Sequence, residues 1–263
     1  MSNKPTGAVT FLFTDIEGST RFAQEFPDTF QTAVNRHHTI LQNAIESNKG
    51  YVFEIVGDAF CCAFENADDA LKAAIDIHFA LAGENWEGAR IKIRIGIHSG
   101  QAEWRGEKYI GYITLARAAR VMSAAYGEQI LISNDTYKLL DLTLSPEEGK
   151  KSELYKLKGK SEISFRDLGD RKLKDLLQPI RLFQVTASGL RYDFPPLKTI
   201  DQRRNNLPVQ LTSFIGREEE IKNAKELLKH TKLLTLTGTG GSGKTRFAIK
   251  IASDVIDEYE CGV

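Results

Sequence analysis

A mixed α/β (α+β) fold, with a β-sheet covered by helices, is predicted for this chain by three observations. Short β-branched and aromatic runs alternate with longer stretches of helical periodicity. Two of the strand-like runs are joined only by Gly57-Asp58, which is hairpin grammar. Ile91, Ile93, Ile95 and Ile97 alternate with Lys92, Arg94 and Gly96, as in a half-buried strand.

The elements follow in order. Residues 8–14 (AVTFLFT) form an apolar run ending in Asp15-Ile16-Glu17-Gly18-Ser19-Thr20, a buried strand entering a turn. Residues 29–48 place Phe30, Val34, Leu41 and Ile45 at helical spacing, and Asn48-Lys49-Gly50 supplies the stop. Residues 51–56 and 59–64 pair as the hairpin, with Asp58 at its tip. Residues 67–83 are helical through Ala70, Ala74, Ile77 and Leu81, and the isoleucine strand 91–97 comes next. A helix over 113–126 closes on Gly127 and leads to a strand over 129–132. This order fits a ferredoxin-like core with its helices on one face of the sheet. Phe165 and Leu182-Phe183-Gln184-Val185 mark the last strands of a charged stretch over 153–185.

Composition narrows the function classes. Lys and Arg number 35 against 35 Asp and Glu, so no basic surface for nucleic acid is expected. The three cysteines, Cys61, Cys62 and Cys261, make neither a disulfide framework nor a thiolate metal site, and they fit a reducing cytoplasm. The N-terminus lacks a signal-peptide core, and no apolar run approaches the roughly 20 residues a membrane span needs. A cytoplasmic protein with no nucleic-acid and no membrane partner is expected.

Residues 7–188 are expected as the first domain. Residues 189–209, with Pro195-Pro196, Asn205-Asn206 and Pro208, read as a linker. The stretch Gly238-Thr239-Gly240-Gly241-Ser242-Gly243-Lys244-Thr245 then fits G-x-x-x-x-G-K-[ST], between a strand-like run at 233–237 and a helix-like run at 246–256. In such a loop Gly238 and Gly243 let backbone N–H groups approach phosphates, Lys244 reaches the β and γ phosphates, and Thr245 ligates Mg²⁺. Phe214-Ile215-Gly216-Arg217-Glu218-Glu219-Glu220-Ile221 resembles the entry segment of STAND-type signalling ATPases. Residues 210–263 are therefore expected as the N-terminal portion of a P-loop NTPase, incomplete because no second strand with an acidic Mg²⁺ partner follows, within a longer parent protein.

Asp15 at the end of the first strand and Asp58 at the hairpin tip are carboxylates that a sheet would bring together, as structural turn residues or as hard-oxygen ligands for Mg²⁺ or Mn²⁺. The motifs Phe13-Thr14-Asp15-Ile16-Glu17-Gly18-Ser19-Thr20, Val56-Gly57-Asp58-Ala59-Phe60 and Arg94-Ile95-Gly96-Ile97-His98-Ser99-Gly100, in this order, resemble a class III adenylate/guanylate (nucleotidyl) cyclase catalytic domain. The later Ala118-Ala119-Arg120-Val121-Met122 and Phe165-Arg166-Asp167-Leu168-Gly169 extend the resemblance over residues 8–186. It implies a ferredoxin-like core and a head-to-tail homodimer with its active sites at the interface. It also implies conversion of a nucleoside triphosphate, ATP or GTP, to a 3′,5′-cyclic monophosphate and pyrophosphate in intracellular signalling.

By the same resemblance, Asp15, Asp58 and the Ile16 carbonyl hold two divalent ions per active site, and Gly18, Ser19 and Thr20 bind substrate. Arg120 from the partner protomer stabilises charge at the α-phosphorus, or else serves as an ordinary ion-pair donor. Lys174, in Lys172-Leu173-Lys174-Asp175, falls near the family's phosphate-binding lysine. This sequence also departs from the family. Glu54 stands where adenylate cyclases carry Lys and guanylate cyclases carry Glu, and Lys108 falls at the second base-reading position, so the two read the base or pair with each other. Ala116 occupies the place of the ribose-orienting Asn, with Thr114 as the available substitute. Gln101 follows the His-Ser-Gly run where some relatives have a phosphate-binding Arg. A catalytically weak cyclase-homology dimer that regulates the downstream ATPase is therefore the competing reading.

Overall fold

The computed structural model describes residues 4–86, 90–141, 155–156, 162–200, 207–208, 214, 216–231 and 233–255. The chain divides into two compact units, Met1–Ile200 and Asp201–Val263.

The first unit is built on one sheet in the order β2-β3-β1-β4-β6-β9-β8-β7, with β5 paired to β4. At its centre, β1 (Gly7–Ile16) runs antiparallel to β3 (Ala59–Phe64) on one side and to β4 (Ile93–Arg105) on the other. The hairpin partner β2 (Tyr51–Val56) forms the edge, while β6 (Ile130–Ser133) lies parallel to β4. The short β7 (Tyr155–Lys156), β8 (Glu162–Arg171) and β9 (Ile180–Ala187) complete the other side.

β1 is apolar on both faces because both are covered. Leu12 and Ile16 join Ile93, Ile95 and Ile97 beneath α2 (Pro27–Ser47) and α3 (Ala67–Gly83). Val9, Phe11 and Phe13 instead meet Ala118 of α4 (Tyr112–Ala124). The helices thus occupy both faces rather than one, and the signal for this was the unbroken apolar run of β1. Helix α4 lies close against β4 because Gly96 leaves room for it: a Cβ there would stand 2.1 Å from the Met122 backbone nitrogen.

Other differences from the sequence reading have local causes. The turn after Asp15 becomes α1 (Ser19–Glu25) immediately past Gly18, whose φ of 74° redirects the chain. The isoleucine strand continues to Arg105 and folds back as β5 (Lys108–Ile110), with Trp104 and Tyr109 ring to ring at 5.0 Å. A short helix, α5 (Asn134–Tyr137), capped by Ser133, follows β6. Residues 189–200, expected as linker, lie on the first unit instead, because Leu197 is an apolar anchor buried beside Val121, Ala124 and Leu173.

In the second unit, α6 (Glu218–His230) and α7 (Lys244–Val255) pack through Ala224, Phe247, Ile251 and Val255. The run 233–237 is not a strand among the described residues, since no neighbouring strand there supplies its ladder hydrogen bonds. Residues 201–206, Ile215, Ile256 and Cys261, which the linker, entry-segment, helix and cysteine readings include, lie outside the described residues, as do residues 153–154 and 157–161 of the charged stretch.

Candidate active site

The sheet brings both acidic residues to one peptide. Asp15 is paired in register with Arg94 across β1 and β4, and the Arg94 Nε donates to Asp15 Oδ2 at 2.8 Å. The hairpin between β2 and β3 folds Asp58 back onto the next residue, so that the Ile16 N–H donates to Asp58 Oδ2 at 2.9 Å. Both carboxylates are half-buried, and the Arg94 guanidinium compensates the charge of Asp15. Among the described residues there is no group of three or more His, Cys, Asp or Glu suited to a metal. Two carboxylates and the Ile16 carbonyl are nonetheless hard oxygen donors, the set Mg²⁺ accepts when phosphate and water complete its shell. The residues fit the ion.

Gly18, Ser19 and Thr20 follow at once as the turn into α1, with the Phe22 N–H bonded to the Gly18 carbonyl at 2.9 Å. Glu17 precedes them, and its carboxylate accepts from Lys198 Nζ at 2.7 Å. Burial alone would push Glu17 up, but the Lys198 ammonium outweighs it and holds the carboxyl below its ordinary value.

The residues assigned to the other half of the site also converge. Arg120 on α4 donates from Nη2 to Asp175 Oδ2 at 2.6 Å, and Asp175 adjoins Lys174 in a loop anchored by the buried Leu173. Arg120 is thus an ion-pair donor within its own protomer, bound to the loop that carries Lys174. Thr114 is buried in the first turn of α4, and its hydroxyl donates to the Gln101 carbonyl at 2.8 Å. That proton is committed to the fold.

Glu54 lies on β2 opposite Cys61, and Lys108 lies on β5 opposite Arg105; both are exposed. Among the described residues they make no ion pair with each other, although Phe53 and Tyr109 beside them meet at 4.9 Å between ring centroids. Burial, then the Glu54 charge, pushes the Cys61 thiol up to about 12, which makes it an inert thiol rather than a nucleophile. Three histidines, His37, His78 and His98, are buried. Burial lowers His37 to about 3 and His78 to about 4. Burial also lowers His98 to about 4, against the opposing pull of Asp135, and His98 Nδ1 lies 2.8 Å from Ser133 Oγ.

Three participants escaped the reading of the sequence as site residues. Arg94 sat inside a quoted motif and Asp175 beside a quoted lysine, so local signals existed for both. Lys198 had none, being 181 positions from Glu17.

In the second unit, α7 begins at Lys244 itself, and Gly241 and Gly243 hold φ of 74° and 80° in the loop before it. Lys244 Nζ donates to the carbonyls of Gly238 at 2.9 Å and Thr239 at 2.7 Å, folding the side chain over its own loop.

With this arrangement in place, comparison with known proteins identifies the class. Residues 1–170 match the adenylate and guanylate cyclase catalytic domain family, and the chain belongs to it. An uncharacterised protein of Mycobacterium tuberculosis is 32% identical over 82% of this chain and 70% of its own length. A receptor-type adenylate cyclase of Trypanosoma brucei brucei is 26% identical over 70% of this chain, which spans only 17% of that much longer protein. Among solved structures, a monomeric-state adenylate cyclase of Trypanosoma brucei superposes with a TM-score of 0.61 at 26% identity, covering 74% of this chain and 94% of that one. Within the described residues, no helix is long and apolar enough to cross a membrane.

Proposed function

We propose that the first unit is a nucleotidyl cyclase that converts ATP or GTP to its 3′,5′-cyclic monophosphate and pyrophosphate in a cytoplasmic signalling protein. The observation that carries this reading is that the Ile16 N–H donates to Asp58 Oδ2 from the hairpin tip, which brings that carboxylate to the residue next to Asp15 at the end of β1. Asp15, Asp58 and the Ile16 carbonyl would hold two Mg²⁺ or Mn²⁺ ions, which supply activation of the ribose 3′-hydroxyl and neutralisation of the triphosphate.

In the reaction, the ribose 3′-oxygen forms a bond to the α-phosphorus, loses its proton, and the bond from that phosphorus to the bridging oxygen breaks to release pyrophosphate. Gly18, Ser19 and Thr20 bind the substrate beside the carboxylates. Arg94, which pairs with Asp15 in this structure, would add a cation beside the triphosphate. Arg120 and Lys174 of the partner protomer stabilise the charge that develops at the phosphoryl group. Thr114, whose proton goes to Gln101, acts toward the ribose only as an acceptor. Glu54 and Lys108, left unpaired with each other, read the base.

Head-to-tail dimerisation is supported by large apolar side chains left exposed on the first unit, Ile55 and Val56 at the hairpin and Ile110, Tyr112 and Ile113 between β5 and α4. The Lys244 loop of the second unit binds nucleotide phosphates as the start of a STAND-type P-loop NTPase in a longer protein.

The test is product analysis by mass spectrometry with Mn²⁺ or Mg²⁺ and each of ATP, GTP, CTP and UTP. A cyclic monophosphate formed by the wild type and absent with Asp58→Ala supports the cyclase and names its base. Nucleotide binding with no cyclic product from any triphosphate would replace it with the regulatory-dimer reading.

A further inference from the structure

Residues 196–199 lie against the end of α4 and the loop that carries Leu173. The Tyr126 hydroxyl donates to the Pro196 carbonyl at 2.9 Å, and the Lys198 N–H donates to the Ala124 carbonyl at the end of α4 at 3.3 Å. Leu197 is buried among Val121, Ala124 and Leu173, so the strap is anchored on the helix of Arg120 and on the loop of Lys174 and Asp175. From this anchored strap Lys198 reaches across the Tyr126 ring, 4.2 Å from its centroid, to Glu17 Oε1 at 2.7 Å.

Glu17 is held from a second side. Its carboxylate accepts a hydrogen bond from the Gly127 backbone. The fit is close: a Cβ on Gly127 would stand 2.6 Å from Glu17 Oε2. Glu17 lies between the Ile16 peptide, which carries the acidic pair, and the Gly18-Ser19-Thr20 turn.

We infer that Lys198 is a positioning residue for the cyclase reaction, tying the turn at Glu17 to the end of α4 and so fixing the acidic half of the chain relative to its Arg120 half. The inference rests on the cyclase reading. It also gives that reading a control point. In a head-to-tail dimer, Asp15 and Arg120 of one chain serve different active sites, and the Lys198 tie links the two. Part-exposed ion pairs add little to stability, whereas small misplacements at a reacting centre are expensive in rate. The signature is therefore a catalytic defect without a matching folding defect.

The test uses the full chain as wild type, Lys198→Ala and Lys198→Arg. In Lys198→Ala, kcat for cyclic product should fall by roughly tenfold with KM within about twofold, and Lys198→Arg should recover most of the loss. The melting temperature should fall by no more than about 2–4 °C. In the same samples, amide hydrogen exchange should accelerate over residues 17–22 in Lys198→Ala and return toward wild type in Lys198→Arg. Unchanged kcat and unchanged exchange in Lys198→Ala would overturn the inference, as would a loss that Lys198→Arg does not recover. The exchange measurement reads the tie even if the wild type makes no cyclic nucleotide, so failure of the tie and failure of the cyclase reading are told apart.

Discussion

At the scale of single residues, Asp15 pairs with Arg94, Asp58 with the Ile16 N–H and Arg120 with Asp175. Asp58 accepts one backbone hydrogen bond at the hairpin tip, so Asp58→Ala should cost only about 1 kcal/mol of stability. Its effect on cyclisation should be a loss of at least about 100-fold, because a metal-binding oxygen goes with it; denaturant melts and product assays on one preparation check both halves. In the proposed reading Glu54 and Lys108 choose the base. Glu54→Lys combined with Lys108→Asp should shift the ATP to GTP ratio of kcat/KM by tenfold or more toward ATP, read in a competition assay with both nucleotides. The sequence offers Asp15 and Asp58 as turn carboxylates and names them, with Arg120, as site candidates only through the family resemblance, while the Lys244 loop is read from its glycine and lysine spacing. Glu17 with Lys198 and Arg120 with Asp175 were not legible, because ion pairs between distant segments leave no periodic trace.

At the scale of elements, hydrophobic periodicity located the hairpin over 51–56 and 59–64 and the helix over 67–83 with the bounds the structure has. It failed where a strand changes environment along its length. Isoleucines report the face of β4 beneath α2 and α3, but beyond Gly100 the strand turns polar while still pairing with β5. The second face of β4 is marked by Gly96 and Gly100, where a Cβ would meet Met122 and Thr114 of α4. Gly96→Val should therefore push α4, and Arg120 with it, off the sheet. The expected destabilisation is more than about 3 kcal/mol, a fall in melting temperature on the order of 6–12 °C, with activity lost in the folded fraction as well. The expected strand at 233–237 shows the converse limit: β-propensity makes a strand only where a neighbour completes its hydrogen bonds.

At the scale of the whole molecule, buried histidines make the first unit acid-sensitive. Both ring nitrogens of His37 are buried with no hydrogen-bond partner among the described residues, and His37, His78 and His98 are all held neutral by burial. Below about pH 6.5 the unfolded chain binds protons that the folded chain refuses. Stability is thus whole above that pH and is lost as pH falls toward about 4 and then about 3. Melting curves at pH 8 and pH 5 should show the drop, and His37→Leu should shrink it while raising the melting temperature at neutral pH.

The same scale holds the central claim, that one active site is assembled from two copies of the chain. The most direct measurement is complementation between Asp58→Ala and Arg120→Ala, co-expressed and assayed for cyclic nucleotide beside the wild type. Each variant alone should be inactive, and the mixture should recover about a quarter of the wild-type rate, since half the dimers are mixed and each of those has one intact site of two. An active wild type with no recovery in the mixture, each variant alone being inactive, would contradict the shared site and put Asp58 and Arg120 in the site of one protomer.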